Sequence, residues 1–278
     1  MNNPVYINGE FMEYEAARID LEDRGYQFAD GVYEVINSYN GKPFRMIEHF
    51  ERLKKSAAAL EIKVSDYGQL QADAEELIRR SGFTDASLYL QITRGTEPRS
   101  HAYSDDLTPN IVMTVKELKN HPDEYYQKGV KAITLPDERW SRCYIKTIAL
   151  LPNVLAKKKA KRAGAFEAIM VRDGFITEGT SSNLFIVRDE RIITPPATNY
   201  ILNGITRRVI LEEAAKLGFT VLEESISLGE LFEADEVFLT GTTTEVMPVV
   251  EIDGGVIKDG KPGKITGKLF DHYRGLLG

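Results

Sequence analysis

Lys146 is the only charge in "CYIKTIALL" (143–151), a short run whose other residues suit a core. A lysine in such a run either reaches water at an edge or is kept for chemistry. An amine withdrawn from water gives up its proton more readily and can then attack a carbonyl. Two other stretches could hold an anion. In "ILNGITRR" (201–208), Asn203-Gly204 reads as a turn and Ile205-Thr206 opens a helix whose first amides lack partners. In "TGTTTE" (240–245), small hydroxylated residues and a glycine at a strand end can offer N–H groups to a phosphate. Each stretch alone also fits an ordinary turn. The histidines (His49, His101, His121, His272) are far apart, no HxxxH or CxxC spacing occurs, and no metal site is expected. GxSxG, Walker-type and GxGxxG patterns are absent. A desolvated lysine, two phosphate cradles and no metal together suggest a cofactor held as a Schiff base.

The elements that must position these residues alternate in hairpins and single helices. "VYIN" and "FMEYEAARID" read as a hairpin about Gly9-Glu10, and "GVYEVINSYNGKPFRM" as a second about Asn40-Gly41. Ile47, Phe50, Leu53, Ala57 and Leu60 mark one helical face, and a further helix covers about 67–80. "KNHPDEYYQKG" (119–129) is polar, carries Pro122 and Gly129, and is expected to link a domain over 1–118 to one over 130–278. In the second half, helices are expected near 152–163, over "NGITRRVILEEAAKLG" and over 263–276, among strands that include "TVLEESIS". Strands outnumber helices and come in hairpins, so the class is α+β in two units, not a doubly wound parallel sheet.

The chain has 278 residues, a net charge of -7 and one cysteine, Cys143. That charge argues against nucleic acid as a partner, and "AKKKAKR" (156–162) reads as the solvated end of a helix. One cysteine allows no intrachain disulfide and fits a reducing compartment. The N-terminal stretch lacks a basic and an apolar region, and no run suits a membrane span, so a cytoplasmic protein is expected.

"EGTSSNLFIVRDERIITPPATNYILNGITRR" resembles the signature of the class IV pyridoxal-phosphate aminotransferases, through Glu178, Asn183, Phe185, Thr194, Gly204, Ile205 and Thr206. "EDRGYQFADGVYEV", "EHFERL", "TRGTEPRSH" and "RCYIKT" resemble the D-amino-acid transaminase branch, so the similarity spans nearly the whole chain. The resemblance implies the two-domain fold-type IV architecture, with pyridoxal 5'-phosphate between the domains, and a homodimer.

It also implies a role for each matching position. Lys146 forms the Schiff base and moves the proton of the substrate Cα. Burial among Ile145, Ile148 and Trp140 is expected to lower its pKa. Glu178 faces the pyridine nitrogen and keeps it protonated. Arg52, the amides of Gly204, Ile205 and Thr206, and Thr242 bind the phosphate. Leu202 packs on the ring, and Ser181 and Ser182 stand near the cofactor. Periodicity alone gives Arg52 another place, off the apolar stripe and paired with Glu48. Tyr33, Arg99 and His101 take the substrate α-carboxylate, a task for which a bidentate arginine is suited. The activity implied is ping-pong transamination between D-amino acids (D-alanine and D-glutamate types) and 2-oxo acids. Branched-chain L-transaminase, (R)-amine transaminase, aminodeoxychorismate lyase-like and non-catalytic cofactor-binding readings remain open. Ala29 stands in "FADG" where such enzymes often carry glycine, which bears on the local turn.

Overall fold

The computed structural model describes residues 4–278. They divide into two units, one holding the chain up to Lys119 with Ile145–Ala149, the other Asn120–Tyr144 with Leu150–Gly278. The first unit contains β1 (Pro4–Ile7), β2 (Glu10–Glu13), α1 (Arg24–Phe28), β3 (Gly31–Tyr39), β4 (Lys42–Pro43), α2 (Met46–Ala59), α3 (Tyr67–Ser81), β5 (Ala86–Thr93) and β6 (Asn110–Glu117). Its sheet runs β2-β1-β6-β5-β3-β4, antiparallel throughout. The β3–β4 turn falls on Asn40 (φ 50°) and Gly41 (φ 73°), the left-handed pair a two-residue hairpin loop demands. The first hairpin turns one residue earlier than the sequence suggests, at Asn8-Gly9, because Glu10 already pairs with Ile7.

Along β5, Ala86, Leu88, Leu90 and Ile92 are buried, and they share a core with Leu53, Leu70 and Leu77 of α2 and α3. The expected stripe on α2 is corrected at its start. Ile47 is 64% exposed, whereas Met46, His49, Phe50, Leu53, Ser56 and Ala57 are buried. The cause lies on β3, where Glu34 shares the buried face with Val32 and Ile36 and draws His49 and Arg52 toward it.

The second unit contains α4 (Asp123–Lys128), β7 (Val130–Pro136), α5 (Leu151–Arg162), β8 (Glu167–Arg172), β9 (Phe175–Gly179), β10 (Asn183–Arg188), β11 (Arg191–Thr194), α6 (Ile205–Lys216), β12 (Val221–Glu223), α7 (Leu228–Phe232), β13 (Glu236–Gly241), β14 (Glu245–Ile252), β15 (Gly255–Val256) and α8 (Lys264–Gly275). The segment 119–129, expected as a linker, thus carries a helix. Its Tyr126 is buried and stacks on Phe270 of α8 at 4.5 Å, which ties it to this unit. The strand expected over "TVLEESIS" shrinks to three residues, and α7 follows. Ser227 and Glu230 form a capping box, a helix start readable from their spacing.

The sheet order is β12-β11-β10-β13-β14-β7-β8-β9, with β15 on β14. β9 lies at one end of this path and β10 near the other, yet only Thr180, Ser181 and Ser182 join them. Three residues reach roughly 10 Å, so the sheet curls until these strands approach, and Gly179 N donates to Ser182 O at 2.7 Å across the turn. Ile169, Leu184, Ile186, Leu239, Met247 and Val249 fill its core, each contributing ~1.5–3 kcal/mol by burial. None of the helices among the described residues is long and apolar enough to cross a membrane.

Candidate active site

The segment Ile145–Ala149 runs along the open edge of β3. Tyr33 N donates to Lys146 O at 3.0 Å, Ile148 N to Gly31 O at 3.1 Å, and Lys146 N to Ser56 Oγ of α2 at 3.1 Å. The backbone of the lysine is therefore fixed between a strand and a helix. Its Nζ lies 4.3 Å from the centre of the Tyr33 ring, so Lys146 and Tyr33 are neighbours. Tyr33 stands on the face of β3 opposite Glu34 and contacts Tyr89, ring to ring, at 5.8 Å. Ile145 is 2% exposed and Trp140 is 42% exposed.

Arg52 has a buried partner that periodicity alone does not suggest, Glu34. Its Nε donates to Glu34 Oε1 at 2.8 Å and its Nη2 to Glu34 Oε2 at 2.7 Å, while Glu48 accepts from Arg45 at 2.8 Å. His49 Nδ1 donates to Glu34 Oε2 at 2.7 Å. Burial alone would raise the Glu34 pKa, but Arg52 and His49 outweigh it and hold the group down to about 2. Burial likewise lowers the His49 pKa, against the pull of Glu34. The guanidinium of Arg52 is thus aimed by a buried carboxylate.

Arg99 and His101 lie on the exposed loop after β5. They share one neighbour, Phe28 at the end of α1. The Arg99 guanidinium sits 4.4 Å from the centre of that ring, and His101 meets it edge-on at 5.6 Å.

In the second unit, Glu178 at the end of β9 is 5% exposed and receives three N–H donors. Arg139 Nη1 binds Oε1, while Asn183 Nδ2 (3.0 Å) and Leu202 N (3.1 Å) donate to Oε2. Burial is the strongest influence and pushes the Glu178 pKa up to about 7 against the pull of Arg139. Arg139 is itself buried and fixed by Asp137 through Nε and Nη2, both at 2.9 Å, and donates from Nη2 to Tyr200 O at 3.1 Å. Burial opposes the charge on Arg139, but Asp137 and Glu178 keep its pKa above the ordinary value. Cys143 lies within this field, its thiol pushed by burial up to about 11.

Asn183 also donates to Leu202 O at 2.8 Å, so one side chain joins Glu178 to the loop that starts α6. Gly204 caps α6 without a side-chain hydrogen bond to the first amides. A Cβ there would meet Asn183 Oδ1 at 2.2 Å, which explains the glycine by close approach. Ile205 and Thr206 are buried at the helix start, and Leu202 is half-buried. Thr242 lies half-buried in the turn between β13 and β14. Ser181 is exposed, whereas Ser182 Oγ donates to the buried Glu167 at 3.1 Å, which also accepts from Thr180 Oγ1 at 2.5 Å.

Each unit by itself carries groups that suit part of a phosphorylated pyridine aldehyde. The second unit offers a buried carboxylate for a ring nitrogen and a helix start open to an anion. The first offers a lysine amine beside an aromatic ring. Among the described residues, no group of three or more His, Cys, Asp or Glu is arranged to hold a metal. Sequence reasoning gave no role to Glu34, His49, Asp137, Arg139 or Glu167. A signal existed for Glu34, a charge in phase with Val32 and Ile36 on one strand.

A family model described as "Amino-transferase class IV" matches residues 31–252. The chain is 48% identical over 263 residues to a D-alanine aminotransferase of Bacillus licheniformis, covering 94% of this chain and 93% of that one. It is 42% identical over 273 residues to a D-alanine aminotransferase of Staphylococcus epidermidis, covering 97% of each. Among solved structures, the branched-chain amino acid aminotransferase of Escherichia coli superposes with a TM-score of 0.93 at 28% identity, over 100% of this chain and 95% of that one. The branched-chain amino acid aminotransferase of T.th., solved with pyridoxamine 5'-phosphate, gives a TM-score of 0.93 at 28% identity over 100% and 94%. With Lys146 beside Tyr33, a buried Glu178 and an open helix start already in place, these matches show that the chain belongs to the class IV aminotransferases.

Proposed function

We propose that this chain transfers the amino group of D-amino acids, of the D-alanine and D-glutamate type, to 2-oxo acids, with pyridoxal 5'-phosphate as cofactor. The observation that carries the reading is the 48% identity to a D-alanine aminotransferase over 94% of the chain. Arg99 and His101 side by side on Phe28 support it, since a guanidinium and an imidazole on one ring suit an α-carboxylate. The branched-chain L-amino-acid reading has its own support in the structural neighbours, at 28% identity. The higher identity favours the D-amino-acid reading.

Bound cofactor supplies an aldehyde that takes up the amino group and a ring that spreads the charge left when the Cα proton departs. Lys146 Nζ would hold that aldehyde and, once freed by the incoming substrate amine, would be the base that carries the proton away from the substrate Cα. Tyr33 lies beside that amine and shares the substrate carboxylate with Arg99 and His101. Glu178 holds a proton on the ring nitrogen, and Arg139 and Asn183 fix the carboxylate. Arg52, held by Glu34, binds the phosphate with Gly204, Ile205, Thr206 and Thr242, while Ser181 and Ser182 border the cofactor and Leu202 packs on its ring. Arg99 and His101 bind the substrate carboxylate. The overall exchange is redox-neutral and follows a ping-pong order.

We also propose a cytoplasmic homodimer. On α5, Ala156 and Ala160 pack inward against β8, while Leu151, Val154 and Leu155 are 68%, 59% and 52% exposed. An apolar stripe on the outer face of a helix suits a second copy.

The direct test is a coupled assay of D-alanine or L-leucine with 2-oxoglutarate. D-alanine is expected to turn over and L-leucine to be poor, and Lys146→Ala should abolish both. Turnover retained in Lys146→Ala would remove the lysine from the chemistry.

A further inference from the structure

Arg24 opens α1 and is 3% exposed, and the mechanism above does not use it. Its guanidinium reaches the loop that carries Arg99 and His101. Nη1 donates to Ser100 O at 2.7 Å and to Glu97 Oε1 at 3.1 Å, and Nη2 donates to His101 O at 3.2 Å. Nε donates to Asp30 Oδ2 at 3.1 Å. The backbone N–H of Arg24 donates to Gly95 O at 2.9 Å, at the root of the same loop. The guanidinium also lies 4.8 Å from the centre of the Phe28 ring, the ring that Arg99 and His101 share, and 5.5 Å from that of Tyr103.

Three of these contacts fall on or directly beside the two proposed carboxylate ligands. Ser100 lies between them, His101 is one of them, and Phe28 touches both. A second arginine completes the arrangement. Arg94, 7% exposed, binds Asp30 through Nε (2.7 Å) and Nη2 (2.9 Å) and lies 3.7 Å from the Tyr103 ring centre. Asp30 thus holds two guanidinium groups, and both press on Tyr103. Only arginine supplies several N–H donors from one planar group; a lysine ammonium cannot reach all these acceptors in one geometry. The loop has no strand or helix of its own between β5 and β6, so these bonds determine where Arg99 and His101 stand.

We infer that Arg24 is a positioning residue for substrate specificity: it holds the loop 97–103 so that Arg99 and His101 present one site to the substrate carboxylate. The inference rests on the reading of Arg99 and His101 as the carboxylate ligands. Arg24 touches neither substrate nor cofactor in this account, so its loss should weaken carboxylate binding and spare the proton transfer at Lys146.

The test uses the cofactor-loaded enzyme with Arg24→Lys and Arg24→Met. For each, kcat and KM for D-alanine are measured, together with the inhibition constant of propanoate, which offers a carboxylate and no amine. A rise of about tenfold or more in both KM and the propanoate constant is expected, with kcat within about threefold and the cofactor spectrum unchanged. Arg24→Lys keeps the charge and should fold even if Arg24→Met does not. An unchanged KM and propanoate constant in a folded variant would overturn the inference. So would a fall in kcat and cofactor retention with KM unmoved, the pattern of a merely structural residue. If the unaltered enzyme neither turns over D-alanine nor binds propanoate, the carboxylate-site reading itself fails, and the role of Arg24 with it.

Discussion

Glu178 is drawn two ways: three N–H groups favour its ionised form, and burial opposes it more strongly. Folding raises its pKa from 4.5 to about 7. A raised carboxylate favours the fold in its protonated form, so its contribution is complete below pH 4.5 and is lost as pH rises through about 7. Glu34 and Asp137 have the opposite sign. Held to about 2, each contributes above its ordinary value and loses that contribution as pH falls toward 2. In the cofactor-free protein the Glu178 contribution should therefore fall from pH 5 to 7 while that of His49, whose pKa is lowered, rises there, and Glu178→Gln should remove the falling part and leave the acid limb in place. Urea midpoints across the range measure both. Ala29 gives a second residue-scale prediction. It adopts φ +54°, a left-handed conformation that costs an alanine on the order of 1 kcal/mol, so Ala29→Gly should stabilise by up to about that amount. Lys146 was legible in the sequence as a lone charge in an apolar run. Glu178 was legible only through the family resemblance, since "TEGT" looks like any turn. Arg139 and Asp137 were not legible, because two charges in a polar loop read as solvated until the fold buries them.

The elements that matter most are one helix start and one helix face. At α6, Gly204 lets Asn183 pass close enough to tie Glu178 to the Leu202 loop. Gly204→Ala should displace Asn183 and weaken cofactor retention about tenfold or more, measured by equilibrium dialysis of the loaded protein. At α5, replacing an exposed apolar residue with a charge should break the proposed dimer. Leu155→Glu is expected to sediment as a monomer, and an unchanged dimer would remove this face from the interface. Strands and long helices were legible from periodicity, and so was the hairpin at Asn40-Gly41, because local chemistry determines them. The face of α2 was not. Its rotation answers to Glu34, a partner more than ten residues away, and α4 and α7 were hidden by polar composition and by a short β-like run.

At the scale of the whole molecule, the α+β class in two units was legible from the alternation of hairpins and helices. The grouping of Ile145–Ala149 with the first unit was not, since hydrogen bonds to Gly31 and Tyr33, distant in sequence, decide it. That grouping places Lys146 on the unit that also carries Tyr33, Arg99 and His101. The hand of the substrate is the central question, because the relatives in sequence and the neighbours in structure carry different substrate names. The most direct measurement is the absorbance of the cofactor-loaded protein as D-alanine and L-leucine are added in separate experiments. D-alanine alone is expected to bleach the long-wavelength band of the lysine-bound cofactor and raise that of the pyridoxamine form. Bleaching by L-leucine alone would contradict the D-amino-acid reading and the roles of Tyr33, Arg99 and His101, and absence of any lysine-bound band would contradict the role of Lys146.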